Sequence, residues 1–103
     1  MEPPSVTGPV SIEALLRDID AQDEALTAYA PAGQPVTPET KVVLIDEETE
    51  EPPAGTVYLL EVALIKEVLD VWQRWRDYAE PTPQQAFDAV LYYATRDAYQ
   101  PVS

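Results

Sequence analysis

The stretch from Glu61 to Ala79 constrains the fold more than any other part of the chain. At 100° per residue, Val62, Leu64, Ile65, Val68, Leu69, Val71, Trp72 and Trp75 fall within one half of a helical circumference. Glu67, Lys66, Asp70, Gln73, Arg74 and Asp77 fill the other half. An apolar arc that wide is not satisfied by one neighbour. This helix must be central, touching more than one partner element.

Shorter signals surround it. Ser11 reads as a helix N-cap, with Val10 and Leu15 placed for a hydrophobic staple. Ile12, Leu15, Leu16 and Ile19 then recur at i, i+3, i+4 and i+7, which predicts a helix over Ile12 to Gln22. The prolines and glycine between Pro31 and Thr40 leave no room for a helix. Two short β-rich runs come next: Lys41 to Asp46 (KVVLID), predicted to be buried on both faces, and Thr56 to Leu60 (TVYLL). They are expected to form a long hairpin or a small sheet edge. A third helix is announced by Thr82 as N-cap, Pro83 at the first helical position and Gln85 as the return half of a capping box. Its buried stripe is Ala86, Phe87, Val90, Leu91 and Ala94, ending near Arg96. The order α-β-β-α-α predicts one small α+β domain over 11–103, with helices packed on a short sheet or hairpin. A flexible, proline-rich arm is expected over 1–10.

Composition narrows the chemistry. The chain has 103 residues, neither His nor Cys, and a formal charge of −13. Disulfides, thiolate zinc, a cysteine nucleophile, a Ser-His-Asp triad and an imidazole switch are all excluded. The charge argues against direct contact with nucleic acid or anionic lipid. The longest apolar runs are a few residues, so no membrane segment is expected, and the start lacks the basic and apolar regions of a secretory signal. A cytoplasmic protein is the default expectation. Gly8, Gly33 and Gly55 are isolated, so no phosphate loop is expected. No motif singles out one carboxylate pair, and neither an enzyme nor a cofactor is expected.

The charge is uneven. Residues 1–65 hold 13 acids and 2 bases, whereas residues 66–103 hold 6 and 4. The densest run is Asp46 to Glu51 (DEETEE), in which Asp46, Glu47, Glu48, Glu50 and Glu51 are candidate contacts for a basic protein surface. Its spacing fails the EF-hand test, and no metal is assigned to it. A solvated hairpin tip that only aids solubility is the other reading. Asp18 and Asp20, with Asp23 and Glu24, extend the acidic face along the first helix. Among the aromatics, Trp72 reads as core, whereas Trp75, Tyr78, Tyr92 and Tyr99 are candidate interface anchors or ordinary amphipathic side chains. Two charges break the helical pattern. Arg76 projects between Ile65 and Leu69, and Asp97 projects between Ala86 and Val90. Either they pair, or both sit at helix ends where Arg76 snorkels and Asp97 lies beyond the helix.

The Thr82-Pro83 helix start, the closing LYYATRDAYQPV, the KVVLID strand and the acidic Pro-Pro loop together resemble the C-terminal part of an uncharacterised family of small acidic bacterial proteins. The resemblance spans about Lys41 to Val102. In size and charge such proteins are similar to toxin-immunity proteins, although the Tyr-Tyr-Gly-Glu-Asn type helix start of the barstar-like inhibitors is missing. This implies a non-catalytic inhibitor that occludes a basic toxin or nuclease. The alternatives are a nucleic-acid mimic that blocks a DNA- or RNA-binding machine, or an accessory protein whose charge serves only solubility.

Overall fold

The computed structural model describes residues 9–101, and the rest of the expected N-terminal arm lies outside the described residues. The protein is α+β, with a four-stranded antiparallel sheet in the order β1-β3-β2-β4. The strands are β1 (Val10–Ser11), β2 (Thr27–Pro31), β3 (Lys41–Ile45) and β4 (Thr56–Glu61). The helices are α1 (Ile12–Arg17), α2 (Val62–Arg74) and α3 (Pro83–Arg96).

The local signals decide the helix starts. The Ala14 amide donates to Ser11 Oγ at 3.1 Å, and the Gln85 amide donates to Thr82 Oγ1 at 3.1 Å. The Gln85 side chain closes the capping box on the Thr82 amide at 2.9 Å. The predicted first helix is cut short, however. It gives way to a 3-10 turn at Ile19–Ala21, which keeps Ile19 in the core. Asp23 then folds the chain back on itself: its carboxylate accepts from the Ala25 amide at 2.8 Å, and its carbonyl accepts from the Leu26 amide. That turn feeds β2, a strand the sequence did not announce.

β2 is nonetheless central. β3 lies on one side of it and β4 on the other. Ala28 and Ala30 face the helices and are essentially inaccessible, together with Val42 and Leu60. Small side chains there let the helical layer approach the sheet, and that packing overrides the weak strand preference of alanine. Val62, Ile65, Val68 and Trp72 of α2 complete the core with Ile12, Leu15, Phe87 and Val90.

The expected β3–β4 hairpin does not form. Both strands run antiparallel to β2, with Thr27 opposite Ile45 and also opposite Glu61. They therefore run parallel to each other, which two strands joined by a tight turn cannot do. The chain leaves β3 at one end of the sheet and must enter β4 at the other. β4 does form a sheet edge, and β3 is less enclosed than predicted, since Lys41 is exposed and Val43 and Leu44 are half-buried.

A candidate interaction surface

The return path from β3 to β4 turns residues 46–55 into a strap. The helices occupy one face of the sheet, and the Tyr29 hydroxyl, on the opposite face, donates to Glu47 Oε2. That bond places the start of DEETEE beside the helix-free face rather than at a hairpin tip. Thr27, Tyr29 and Ile45 lie on this face by alternation, yet all three are buried. Tyr58, opposite Tyr29 on β4, packs edge-on against it at 6.2 Å between centroids.

The strap is folded on its own carboxylates. Asp46 accepts from the Glu48 amide through its side chain at 3.0 Å and from the Glu50 amide through its carbonyl at 2.8 Å. Glu50 Oε1 accepts in return from the Asp46 amide at 2.9 Å. The carboxylates of Asp46, Glu47 and Glu50 thus have internal partners, while the exposed side chains of Glu48 and Glu51 make no hydrogen bond or ion pair among the described residues. Glu47 also pushes the Tyr29 phenol pKa upward, chiefly through the hydrogen bond they share. Tyr58 is pushed up as well, first by burial and then by Glu61.

The sheet register gathers the other acids. Asp46 follows Ile45, Glu61 closes β4, and Asp23 and Glu24 precede β2, so all four share the Thr27 end of the sheet. Asp18 and Asp20 are exposed on the helical side of the same chain path. Only Lys66 compensates this end directly. It donates to the Gln22 carbonyl at 2.9 Å and lies 3.5 Å from Glu24. The remaining described ion pairs, Arg17–Glu13 and Arg74–Asp70, are helical i,i+4 pairs. No strap carboxylate has a cationic partner among the described residues.

The four aromatic candidates separate into two groups at the other end of α2. Trp75 is half exposed and meets Tyr99 edge-on at 5.9 Å, and Tyr99 in turn meets Tyr93 at 5.2 Å. The Tyr99 hydroxyl donates to Glu67, which pushes its pKa up to about 12. Tyr78 is 72% exposed, just beyond the helix. Tyr92 lies instead under the Arg96 guanidinium, 4.8 Å from its ring centroid. These four aromatics therefore do not join the acidic strap in one patch. Tyr29 and Glu67, which sequence reasoning left off the site, are the residues that fasten each region. An alternating TAYAP run was the only available hint of the first.

Arg76 does not pair with Asp97. Its guanidinium stacks on Trp72 at 4.4 Å and donates to the carbonyls of Trp72 and Pro101, each at 3.2 Å. Asp97 is exposed and caps α3 in the left-handed region. The helix-end reading thus describes Asp97, while Arg76 sits just past its helix but is held by Trp72 and Pro101 rather than reaching out to water.

The class these features define is a small α+β domain with an acidic strap across a sheet. No family model matches the chain, and neither a curated protein nor a solved structure matches it. No helix among the described residues is long and apolar enough to cross a membrane.

Proposed function

We propose that the chain is a non-catalytic acidic binding protein of the immunity type, which occludes a basic toxin or nuclease in the cytoplasm. The observation that carries this reading is the strap. It presents a row of carboxylates without a cationic partner among the described residues, on a segment held in shape by its own hydrogen bonds and by Tyr29. A pre-shaped anionic ridge loses little conformational entropy on binding and occupies subsites that otherwise hold phosphates. Asp18, Asp20, Asp23 and Glu24 continue the same field around the sheet end, which steers a cationic partner into contact.

The test is a low-salt pull-down from the native host, run with wild type and with Glu48 and Glu51 changed to Gln beside a variant that also carries Glu47→Gln and Glu50→Gln. A basic protein retained by wild type, progressively lost across the two variants and released by salt supports occlusion. Retention that ignores both charge removal and salt overturns it.

A further inference from the structure

A depression of about 350 Å³ opens where α1, the 3-10 turn, α2 and the start of α3 meet. Its floor is apolar, formed by Leu16, Ile19 and Ala86, whose bodies belong to the core. Its rim carries Glu13, Asp20 and Glu80, contributed by three different segments of the chain. Arg17 is the one cation of the lining. It reaches only Glu13, at 3.9 Å with both side chains largely in water, an arrangement that contributes little. Asp20 and Glu80 have no ion pair among the described residues.

We infer that this depression receives an arginine side chain of the basic partner, an inference that rests on the immunity-type reading. A bare metal ion would gain nothing from the apolar floor, and a neutral apolar group would gain nothing from the rim. A long cationic side chain uses both, laying its methylene stem on Leu16 and Ile19 while the head stays among carboxylates. Arginine fits better than lysine because carboxylates from three segments line the opening, and its planar head offers five donors to share among them. Arginine is among the residues enriched where interfaces concentrate their binding energy. Asp20 belongs both to the pocket rim and to the acidic run that precedes β2.

The experiment is a low-salt NMR titration of the labelled protein with the peptide acetyl-Gly-Gly-Arg-Gly-Gly-amide. Parallel titrations use the norleucine counterpart and spermidine. The expected result is saturable shifts at Leu16, Ile19 and Ala86 with the arginine peptide and none with norleucine. Affinity should fall about two- to fivefold in Glu80→Gln and again in Asp20→Asn, the range for an exposed ion pair. Shifts confined to residues 46–51, or affinity unchanged by both substitutions, overturn the proposal. Spermidine binding as tightly as the peptide overturns it too, in favour of a free polyamine. The pull-down separates this inference from the one beneath it. A partner lost by the strap variants but fully retained by the Asp20→Asn, Glu80→Gln double variant sinks the pocket and leaves occlusion standing.

Discussion

The strap over 46–55 and the corner after α2 are both exposed connections, built on opposite terms. The strap is polar, and its acidic end is tied by local hydrogen bonds to Asp46 and Glu50. The corner rests on aromatic contacts and is held in an unfavourable backbone. Asp77 and Tyr78 take φ of 56° and 61°, a region that costs a non-glycine residue about 1–2 kcal/mol. The Tyr78 amide donates to the Gln73 carbonyl at 2.6 Å, which closes the helix end and fixes that geometry. Charge sets the shape of one region, and the demand to stop a helix sets the shape of the other. The strap can therefore lose the Glu48 and Glu51 charges, which hold nothing in place, without losing its path, whereas the corner depends on the core beneath it.

The sharpest way to break this contrast is at the two tryptophans. Trp72 is buried in the core cluster, and Trp72→Ala is expected to cost about 3–5 kcal/mol in denaturant melts. Trp75, three residues on, is half exposed and holds mainly Tyr99, so Trp75→Ala should cost about 1 kcal/mol. Equal losses would place the corner inside the core and end the distinction.

Arg76 tests how the corner is fastened. Arg76→Ala removes the stack on Trp72 and two hydrogen bonds to carbonyls, one of them on Pro101, and should cost about 1–2 kcal/mol. Asp97→Ala should change almost nothing, and the double variant should show the sum of the two. A large coupling energy would restore the Arg76–Asp97 pair that the geometry denies.

These two helices were the most legible part of the chain, because their information is local. Apolar spacing marked the core face of α2, and Thr82, Pro83 and Gln85 marked the start of α3. The sheet was less legible for a physical reason. Ala28 and Ala30 suit β2 only because helices press on them, a fact no window of sequence contains. The strap was missed with it. KVVLID and TVYLL are neighbours in sequence, which favours pairing them, but β2 stands between them. Charge alone located the acidic residues of the candidate surface without locating Tyr29, which lies in the unrecognised strand. Trp75 and Tyr78 are exposed where Trp72 is buried, but Tyr99 packs against the same core, and the spacing gave no sign of that or of Tyr92 turning away from the others.

A smaller effect measures the strain at the corner directly. Tyr78→Gly removes an exposed side chain from a left-handed position and is expected to raise stability by about 0.5–1 kcal/mol. Asp77→Gly should behave alike. A loss in thermal melts at both positions would mean that the side chains, not the backbone, define the turn.

The subtlest difference is read on the alkaline side. Each region ends in a tyrosine bonded to a glutamate: Tyr29 to Glu47 at the strap, Tyr99 to Glu67 at the corner. Tyr99 is pushed up to about 12, because ionising it would break the hydrogen bond and set two negative charges together. Its ordinary value is 10.0, so the unfolded chain releases this proton first as pH rises. The stabilisation is whole below pH 10 and is lost as pH climbs from there through about 12. Tyr99→Phe should therefore lower the denaturation midpoint at pH 7, where the hydrogen bond is intact, and flatten its alkaline decline in that window. Tyr29 is shifted in the same direction, so Tyr29→Phe should flatten the decline too. The readouts then part. Losing the Tyr29 hydroxyl frees Glu47 and should speed hydrogen exchange at the Thr49 and Glu50 amides, which donate to the Asp46 carbonyl. Losing the Tyr99 hydroxyl should leave those amides untouched. If exchange in the strap ignores Tyr29→Phe, the Asp46 and Glu50 bonds hold it alone, and the strap is shaped by its own carboxylates without help from the sheet.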